Sequence, residues 1–428
     1  MKTFINDLKE MRGYLLLWFT QLVSGLGSAM TAYALVIWSY TQAGSALRTA
    51  LLMVCSYAPY VICSIFAGAL SDRWDKKKTM LVCDALAAFS TLIVLLLLKN
   101  DALRIWHLYI VKAVSGLMNT FQQPASEVAT SALLKREYYQ RVGGLRYLSN
   151  ALNYILTPII TTAIMALWGI GTVIAIDLCS FFVAFLVLLF FIPIPKTESR
   201  KQQESVLQCA AEGVRWLKAN PGIFHLMLFL AGINLVASMF NAALPAMALS
   251  KASETALGTV NAVTGITMLI GSILASFMPA PRSRVKTIWY CLMLSMCTEN
   301  FFLAFGNSSF VWCLGAFLGW IAIPLMNANL EAVNRLNIPM EIQGRVFAAR
   351  NSFQFFTIPV GYFLGGILID KVFEPVMAMQ AADSLSVRLF GSGKGSGAAF
   401  LFAILWVMGI VVCLLFRGNK HIWRLEKP

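Results

Sequence analysis

Charge is what this chain has least of. Only 13% of its 428 residues are Asp, Glu, Lys or Arg, and acid is scarcer than base, 20 against 34. With 58% hydrophobic residues and a mean hydropathy of +0.71, too few polar side chains remain to cover a water-soluble protein of this size. Histidine is rarer still. His107, His225 and His421 stand far apart with no Asp or Glu at ligand spacing, which argues against a metal site. The nine cysteines are scattered, eight inside apolar runs and Cys209 alone in a polar segment, so there is neither a disulfide framework nor a CxxC pattern. No nucleophile elbow, phosphate loop or zinc-protease motif occurs. An enzyme is not expected, nor any cofactor.

What the chain does have is apolar runs of about 20 residues, too long for barrel strands and without their alternation. They predict an all-α membrane protein of twelve transmembrane helices, near 13–40, 47–70, 79–98, 104–123, 142–168, 172–192, 223–249, 257–279, 286–306, 309–329, 346–370 and 398–416. The charged start, Met1 to Arg12, precedes an apolar run of about 28 residues with no small-residue cleavage site, which reads as a first span and not a signal peptide. Between the sixth and seventh spans, Val206, Leu207, Ala210, Val214 and Leu217 recur at helical spacing. They predict a short amphipathic helix over 205–220, stopped by Pro221. The outer loop 371–397 is the longest, and its Gly-Ser-Gly-Lys-Gly-Ser-Gly run is expected to lack any means of packing and to be mobile.

The net charge of +14 would favour nucleic acid on a soluble protein, but here it is a topology signal and no nucleic-acid partner is expected. With the amino terminus inside, 26 basic residues fall in cytoplasmic segments and seven outside, with Lys112 alone within a span. Both termini are therefore expected in the cytoplasm of a bacterial cell, the protein crossing the inner membrane many times. Trp38, Trp106, Trp168 and Trp312 fall at outer span ends and Trp74, Trp216, Trp289 and Trp423 near inner ones, as aromatic belts require.

An offset of 204 residues superposes Glu127 on Glu331, Arg141-Val142 on Arg345-Val346 and Arg146 on Arg350. Matches of charged residues at one offset, each at the same end of corresponding spans, predict two pseudo-symmetric six-helix bundles. These are 1–192 and 223–428, joined by a cytoplasmic linker at 193–222. Polar stripes run along particular spans: Gln21, Ser24, Ser28 and Thr31 on the first, Lys112, Ser115, Asn119 and Gln122 on the fourth, and Asn234, Ser238 and Asn241 on the seventh. Two readings compete for them, a wetted substrate path and plain interhelical hydrogen bonding worth roughly 0.6 to 2 kcal/mol per contact.

Asp84, Lys112, Asp177 and Glu299 are the ionisable residues within the spans. Each is costly unless paired or wetted. Asp84 reads as an interfacial cap, and Asp177 and Glu299 as structural contacts, either of which could partner Lys112. Gly315 with Gly319 and Gly361 with Gly365 have the spacing of close helix packing.

Residues 68–80, Gly-Ala-Leu-Ser-Asp-Arg-Trp-Asp-Lys-Lys-Lys-Thr-Met, form a charged hinge between the second and third spans. Gly68, Leu70, Asp72 and Arg73 resemble the corresponding loop of the major facilitator superfamily, Gly-x-Leu-Ala-Asp-Arg-x-Gly-Arg-Arg, with Asp75 where that pattern has its second glycine. This variant looks like the macrolide-efflux-like branch of drug exporters. The resemblance implies a cavity lined by spans 1, 4, 7 and 10. Asp72, Arg73, Glu127, Arg141, Glu331, Arg345 and Arg350 fall at expected cytoplasmic span ends, Gly68 beside them, where they would either lock an inner gate by ion pairs between the halves or serve as plain interface anchors; the resemblance implies that Asp72 and Arg73 contact the start of the eleventh span and the end of the fourth. Lys112, with Gly116 and Pro124, stands where the family's Arg-x-x-x-Gly is associated with proton coupling. The helix 5 antiporter signature is reduced to Thr157-Pro158-Ile159-Ile160 without its glycines.

The function implied is proton-driven export of an amphipathic small molecule, drug-, macrolide- or siderophore-like, by alternating access. Lys112, Ser115, Asn119, Gln122, Gln21, Ser24, Ser28, Asn234 and Asn241 would bind or couple, and the protein would act as a monomer in the bilayer. The rivals are an importer or lysophospholipid flippase on the same fold, and a transport-dead sensor or scaffold. With Lys112 and no mid-depth acid on the cavity spans, an anionic or acceptor-rich substrate is expected over a cation.

Overall fold

The computed structural model describes residues 11–133, 139–194, 206–339 and 343–426. Helix α1 (Arg12–Ala43) ends where Gly44 takes φ +58°, a left-handed turn that lets α2 (Ala46–Arg73) begin two residues later. Helix α3 (Lys76–Lys99) starts at Asp75, whose carboxylate accepts the Lys78 amide at 2.9 Å. The position that is glycine in the resembling loop is thus a capping aspartate with φ −64°, a conformation that needs no glycine. Lys77 does more than mark a membrane side: its ammonium donates to the carbonyls of Leu189 and Ile192 at 3.0 and 2.9 Å, closing the end of α6.

Helices α4 (Ile105–Leu133), α5 (Tyr139–Trp168) and α6 (Ile170–Phe190) follow, the last two joined by Gly169 alone at φ +77°. The amphipathic stretch forms α7 (Val206–Ala219), anchored by buried Leu217. Pro221, with no N–H to extend it, opens α8 (Pro221–Lys251). Helices α9 (Glu254–Phe277) and α10 (Arg284–Phe305) are capped by Ser253 and Ser283, whose hydroxyls accept the amides of Ala256 and Lys286.

The later spans are less regular than their sequence suggests. The run expected at 309–329 is split into α11 (Ser309–Trp320) and α12 (Ile323–Asn337), because Pro324 cannot donate to the Trp320 carbonyl. The run expected at 346–370 is α13 (Gln343–Phe355) and α14 (Thr357–Ile367), broken ahead of Pro359, then a π-helical turn, Leu368–Phe373, running into α15 (Glu374–Ala378). The long loop at 371–397 packs, contrary to what its glycines predict. It carries α16 (Leu385–Phe390), the Gly395 amide donates to Glu374 Oε1 at 2.9 Å, and Lys251 Nζ donates to the Phe390 carbonyl. Glycine content set the expectation of a loop without packing; bonds from distant residues hold it in place.

Helix α17 (Ser396–Arg417) and the short α18 (Lys420–Trp423) complete the chain. After them, Glu426 Oε1 accepts from Ser283 Oγ and the Val285 amide, both at 2.6 Å, covering the start of α10. Eleven helices among the described residues are long and apolar enough to cross a membrane. Helix α4, with 29 residues, matches them in length but carries the polar stripe. No strand occurs among the described residues.

The helices gather into two compact units. One comprises 1–35 and 55–206, the other 36–54 and 207–428. In the first, Leu17, Met80, Ala125, Ala129, Leu188 and Ile192 form a buried cluster joining α1, α3, α4 and the end of α6. In the second, α8 is buried on most sides and packs against α13, α14 and α17. Gly361 and Gly365 bring α14 onto α8, where an added Cβ would lie 2.7 Å from the Leu235 carbonyl or 3.0 Å from Met239 Cα. Gly315 and Gly319 do the same for α11 against Phe302 and Glu299.

In the first unit Gly116 sets α4 against α2, with its missing Cβ facing the Ser56 carbonyl inside any possible contact distance. Gly116→Ala must therefore push the helices apart. Overpacking of this kind costs about 1–3 kcal/mol, so thermal unfolding in detergent should show a lower midpoint. Gly13→Ala, with nothing within 4 Å of the added methyl, should not move it.

Candidate functional site

The polar stripes of α1 and α4 do not face empty space along their whole length. Two carboxylates from other helices of the same unit meet them, Asp177 buried and Asp84 partly so. Asp84 on α3 accepts a hydrogen bond from Gln122 Nε2 of α4, and Gln21 of α1 bonds to the same side chain. Asp177 on α6, only 4% exposed, accepts from Ser28 Oγ of α1 at 3.0 Å. Lys112 of α4 lies within electrostatic reach of Asp177, and no direct ion pair joins the two.

This second cluster depends on Gly27. A Cβ there would sit 2.5 Å from Ser180 Oγ and 3.0 Å from Asp177 Cα, so only glycine lets α1 approach α6 closely enough for Ser28 to reach the carboxylate. The burial of two acids in an apolar bundle is costly, and hydrogen bonds with one nearby cation offset it. Chemically, an ammonium and a carboxylate held near each other without direct contact form a unit that can exchange a proton or admit an anion between them.

Asp84 is therefore no interfacial cap. Its bonds reach across to α1 and α4, which spacing along α3 alone does not reveal. Of the two candidate partners for Lys112, Asp177 is the one nearby. Glu299 lies in the other unit, where Trp320 Nε1 donates to it at 2.7 Å. Along the same stripes, Ser24 and Ser115 are partly buried and Asn119 is exposed. On α8, Asn234 Nδ2 donates to the Gln354 carbonyl at 3.1 Å, Ser238 Oγ to the Asn234 carbonyl at 2.6 Å, and Asn241 Nδ2 to the Ala237 carbonyl at 2.9 Å. Asn234 thus ties α8 to α13.

Of the residues expected at an inner gate, Gly68, Asp72, Arg73, Arg141 and Arg345 lie outside the described side chains. Glu127 pairs with Arg146 at 3.4 Å, both largely exposed, within one unit. Glu331 is exposed on α12 and Arg350 partly buried on α13.

A set of contacts that sequence reasoning missed lies in the second unit, where the end of α1 and the start of α2 are gathered. Ser45 caps α2, its hydroxyl accepting the Arg48 amide at 3.1 Å and donating to Asp370 of the π-turn. Asp370 also accepts the Ala46 and Leu47 amides at 2.9 and 3.0 Å. One carboxylate thus satisfies the open end of a helix far away in sequence, an arrangement the helix dipole favours. Beside it, Tyr40 Oη donates to the Ala246 carbonyl at 3.0 Å and lies 2.7 Å from Ser250 Oγ. Gly366 lets Leu47 and Ala50 press against α14. The signal was present in the chain: no acid stands in the first turn of α2, so its orphan amides needed a partner from elsewhere.

Long apolar helices that carry buried acids and a lysine on internal faces define a polytopic helical membrane protein. The profile of the Major Facilitator Superfamily matches residues 17–245, more than half of the chain, and the protein belongs to that family of membrane transporters. It is 24% identical over 365 residues to macrolide efflux protein A of Streptococcus pyogenes, covering 83% of this chain and 89% of that protein. It is also 25% identical over 391 residues to the multidrug efflux pump Tap of Mycolicibacterium fortuitum, covering 88% and 93%. The enterobactin exporter EntS of Salmonella typhimurium is 25% identical over 264 residues, 60% of this chain and 61% of that one. The crystal structure of a variant of the nucleoside transporter NupG superposes with a TM-score of 0.68 at 14% identity, covering 94% of this chain and 98% of that one. This likeness is one of fold.

Proposed function

We propose that the protein exports an amphipathic, anionic or acceptor-rich small molecule across the bacterial inner membrane by alternating access of two six-helix halves, twelve spans in all, driven by protons. The relatives named as efflux proteins support the direction. The observation that carries the coupling is the cluster of Lys112, Asp177 and Ser28, where three helices of the first unit bring one cation and one buried acid together. Proton exchange at this pair and substrate binding beside it act on the same charges, so each changes the affinity for the other. Ser24, Ser115 and Asn119, on the same stripes, offer hydrogen bonds to the substrate. The Asp370 contacts hold the α1–α2 turn closed at the outer surface until the cycle requires it to open.

Reconstitution in proteoliposomes tests this reading. An imposed pH gradient should drive counterflow of a macrolide or a carboxylate-bearing siderophore, and flux indifferent to the gradient would remove the proton from the mechanism. Orientation has its own test. Cys209 on α7 is expected in the cytoplasm, so a membrane-impermeant maleimide applied to intact cells should leave it unlabelled, and labelling from outside would reverse the topology.

A further inference from the structure

At the end of α8 far from α7, the second unit has an open surface cavity of about 540 Å³ between the α8–α9 turn, the start of α11 and the glycine-rich loop. We propose that this cavity binds an anionic oxygen group, a phosphate or carboxylate, at the membrane face opposite α7.

Its walls are polar and carry charge of one sign. Lys251 and Lys394 line it together with Ser250, Asn307, Ser308 and Trp312, and no carboxylate is among the lining residues. Glu374, the nearby acid, interacts electrostatically with Lys251, accepts the Gly395 amide at 2.9 Å and stays out of the lining. Lys251 is fixed by its bond to the Phe390 carbonyl. Lys394 is exposed, stands 5.7 Å from the Tyr40 ring centroid, and has no hydrogen-bond acceptor among the described residues. An exposed ammonium at the mouth of such a cavity can turn its three donors to an acceptor that enters it. The wall also holds the start of α11, capped by Ser308, whose positive end adds to the same field.

The glycines fit this use. Gly391 and Gly393, which line the cavity, take φ of +78° and +77°, so the loop turns sharply there with no Cβ to fill the space. Neutral oxygen-rich molecules could use the hydroxyls, but two lysines without a lining counter-charge favour an anion. The cavity also adjoins the Asp370 contacts, since Ser250 bonds to Tyr40 and Lys394 lies over the Tyr40 ring. An anion that recruits Lys394 takes it from Tyr40, so occupancy bears on how firmly the end of α1 is held.

The chemistry could come from a free anion or from the headgroup of an acidic lipid, and two arms separate these. The full-length protein in neutral phosphatidylcholine nanodiscs is titrated with inorganic phosphate against sodium chloride of matched ionic strength, followed by thermal unfolding and tryptophan fluorescence. In parallel, nanodiscs containing phosphatidylglycerol are examined by native mass spectrometry for retained lipid. Saturable binding is expected in at least one arm. Lys394→Gln should weaken it about tenfold, the value of one charge-assisted hydrogen bond, and Lys394→Arg should retain it. Because Lys394 is exposed, its variants should keep the parent elution profile. Binding of phosphate alone assigns a soluble anion, and retention of phosphatidylglycerol alone assigns a headgroup. Absence of saturable binding in both arms, or equal binding by Lys394→Gln, overturns the proposal. Neither readout depends on transport, so a failed site and a failed coupling mechanism are told apart.

Discussion

Lys112→Ala and Asp177→Asn are each expected to cut proton-driven transport by roughly tenfold or more, a size set by coupling free energies of about 1–3 kcal/mol. Asparagine at 177 can still accept the Ser28 hydrogen bond but cannot take up a proton. Alanine at 112 removes the charge that an anionic substrate would meet. Lys112→Arg is the informative control. It keeps the positive charge, and so substrate binding, but a guanidinium does not release its proton in a protein, so the pH response should flatten. Flux at two imposed pH gradients, with binding measured separately, distinguishes the three. The rival explanation is that the pair only holds the bundle together. Removing one member of a buried pair then costs about 3–5 kcal/mol, the single variants misfold, and the double variant Lys112→Ala/Asp177→Asn recovers both folding and pH-dependent transport. Such a recovery would end the coupling role of both residues.

Asp370→Ala should release the α1–α2 turn. The carboxylate joins one hydroxyl and two amides at the start of α2. Charge placed at a helix end in partly buried geometry is worth up to about 2 kcal/mol, which corresponds to a population change of about thirtyfold. Asp370→Asn, which keeps the shape and loses the charge, should lie between alanine and the parent. Spin labels at the exposed positions Gln42 and Gln380, both in the second unit, report the turn against the end of α15. The distance distribution should broaden and shift outward in the alanine variant, and the transport rate should change with it. An unaltered distribution would leave Asp370 as a plain cap.

Helix positions and polar stripes were legible because hydropathy and the 3.6-residue period are local properties. In the structure Gln122 and Gln21 bond to Asp84, and Ser28 bonds to Asp177. Their partners were not legible. Asp84 and Asp177 meet those stripes only through the packing of α3 and α6 against α1 and α4, and Gly27, which permits one of these approaches, carries no polar signal at all. Chain breaks followed the same division. Pro221 was read as a stop because it followed an amphipathic run. Pro324 and Pro359 were hidden inside apolar runs long enough to pass for single helices. Asp75 was a departure from a family pattern in the sequence, and its capping bond gives that departure a cause. Asp370 stood at the edge of a span, where acids are ordinary, and only the lack of an acid in the first turn of α2 hinted that it was needed elsewhere.

The π-turn at Leu368–Phe373 has a meaning for descent as well as for geometry. Such a turn holds one residue more than an α-helical turn in the same stretch, so it is what a single inserted codon leaves behind in a helix already packed on both sides. Asp370 lies inside it. Removing one residue other than Asp370 from 368–373 should therefore restore a regular helix while the residues on either side keep their packing. Relatives without the insertion should then align here only across a one-residue gap. They should lack an acid at this position and hold the start of α2 by some other means.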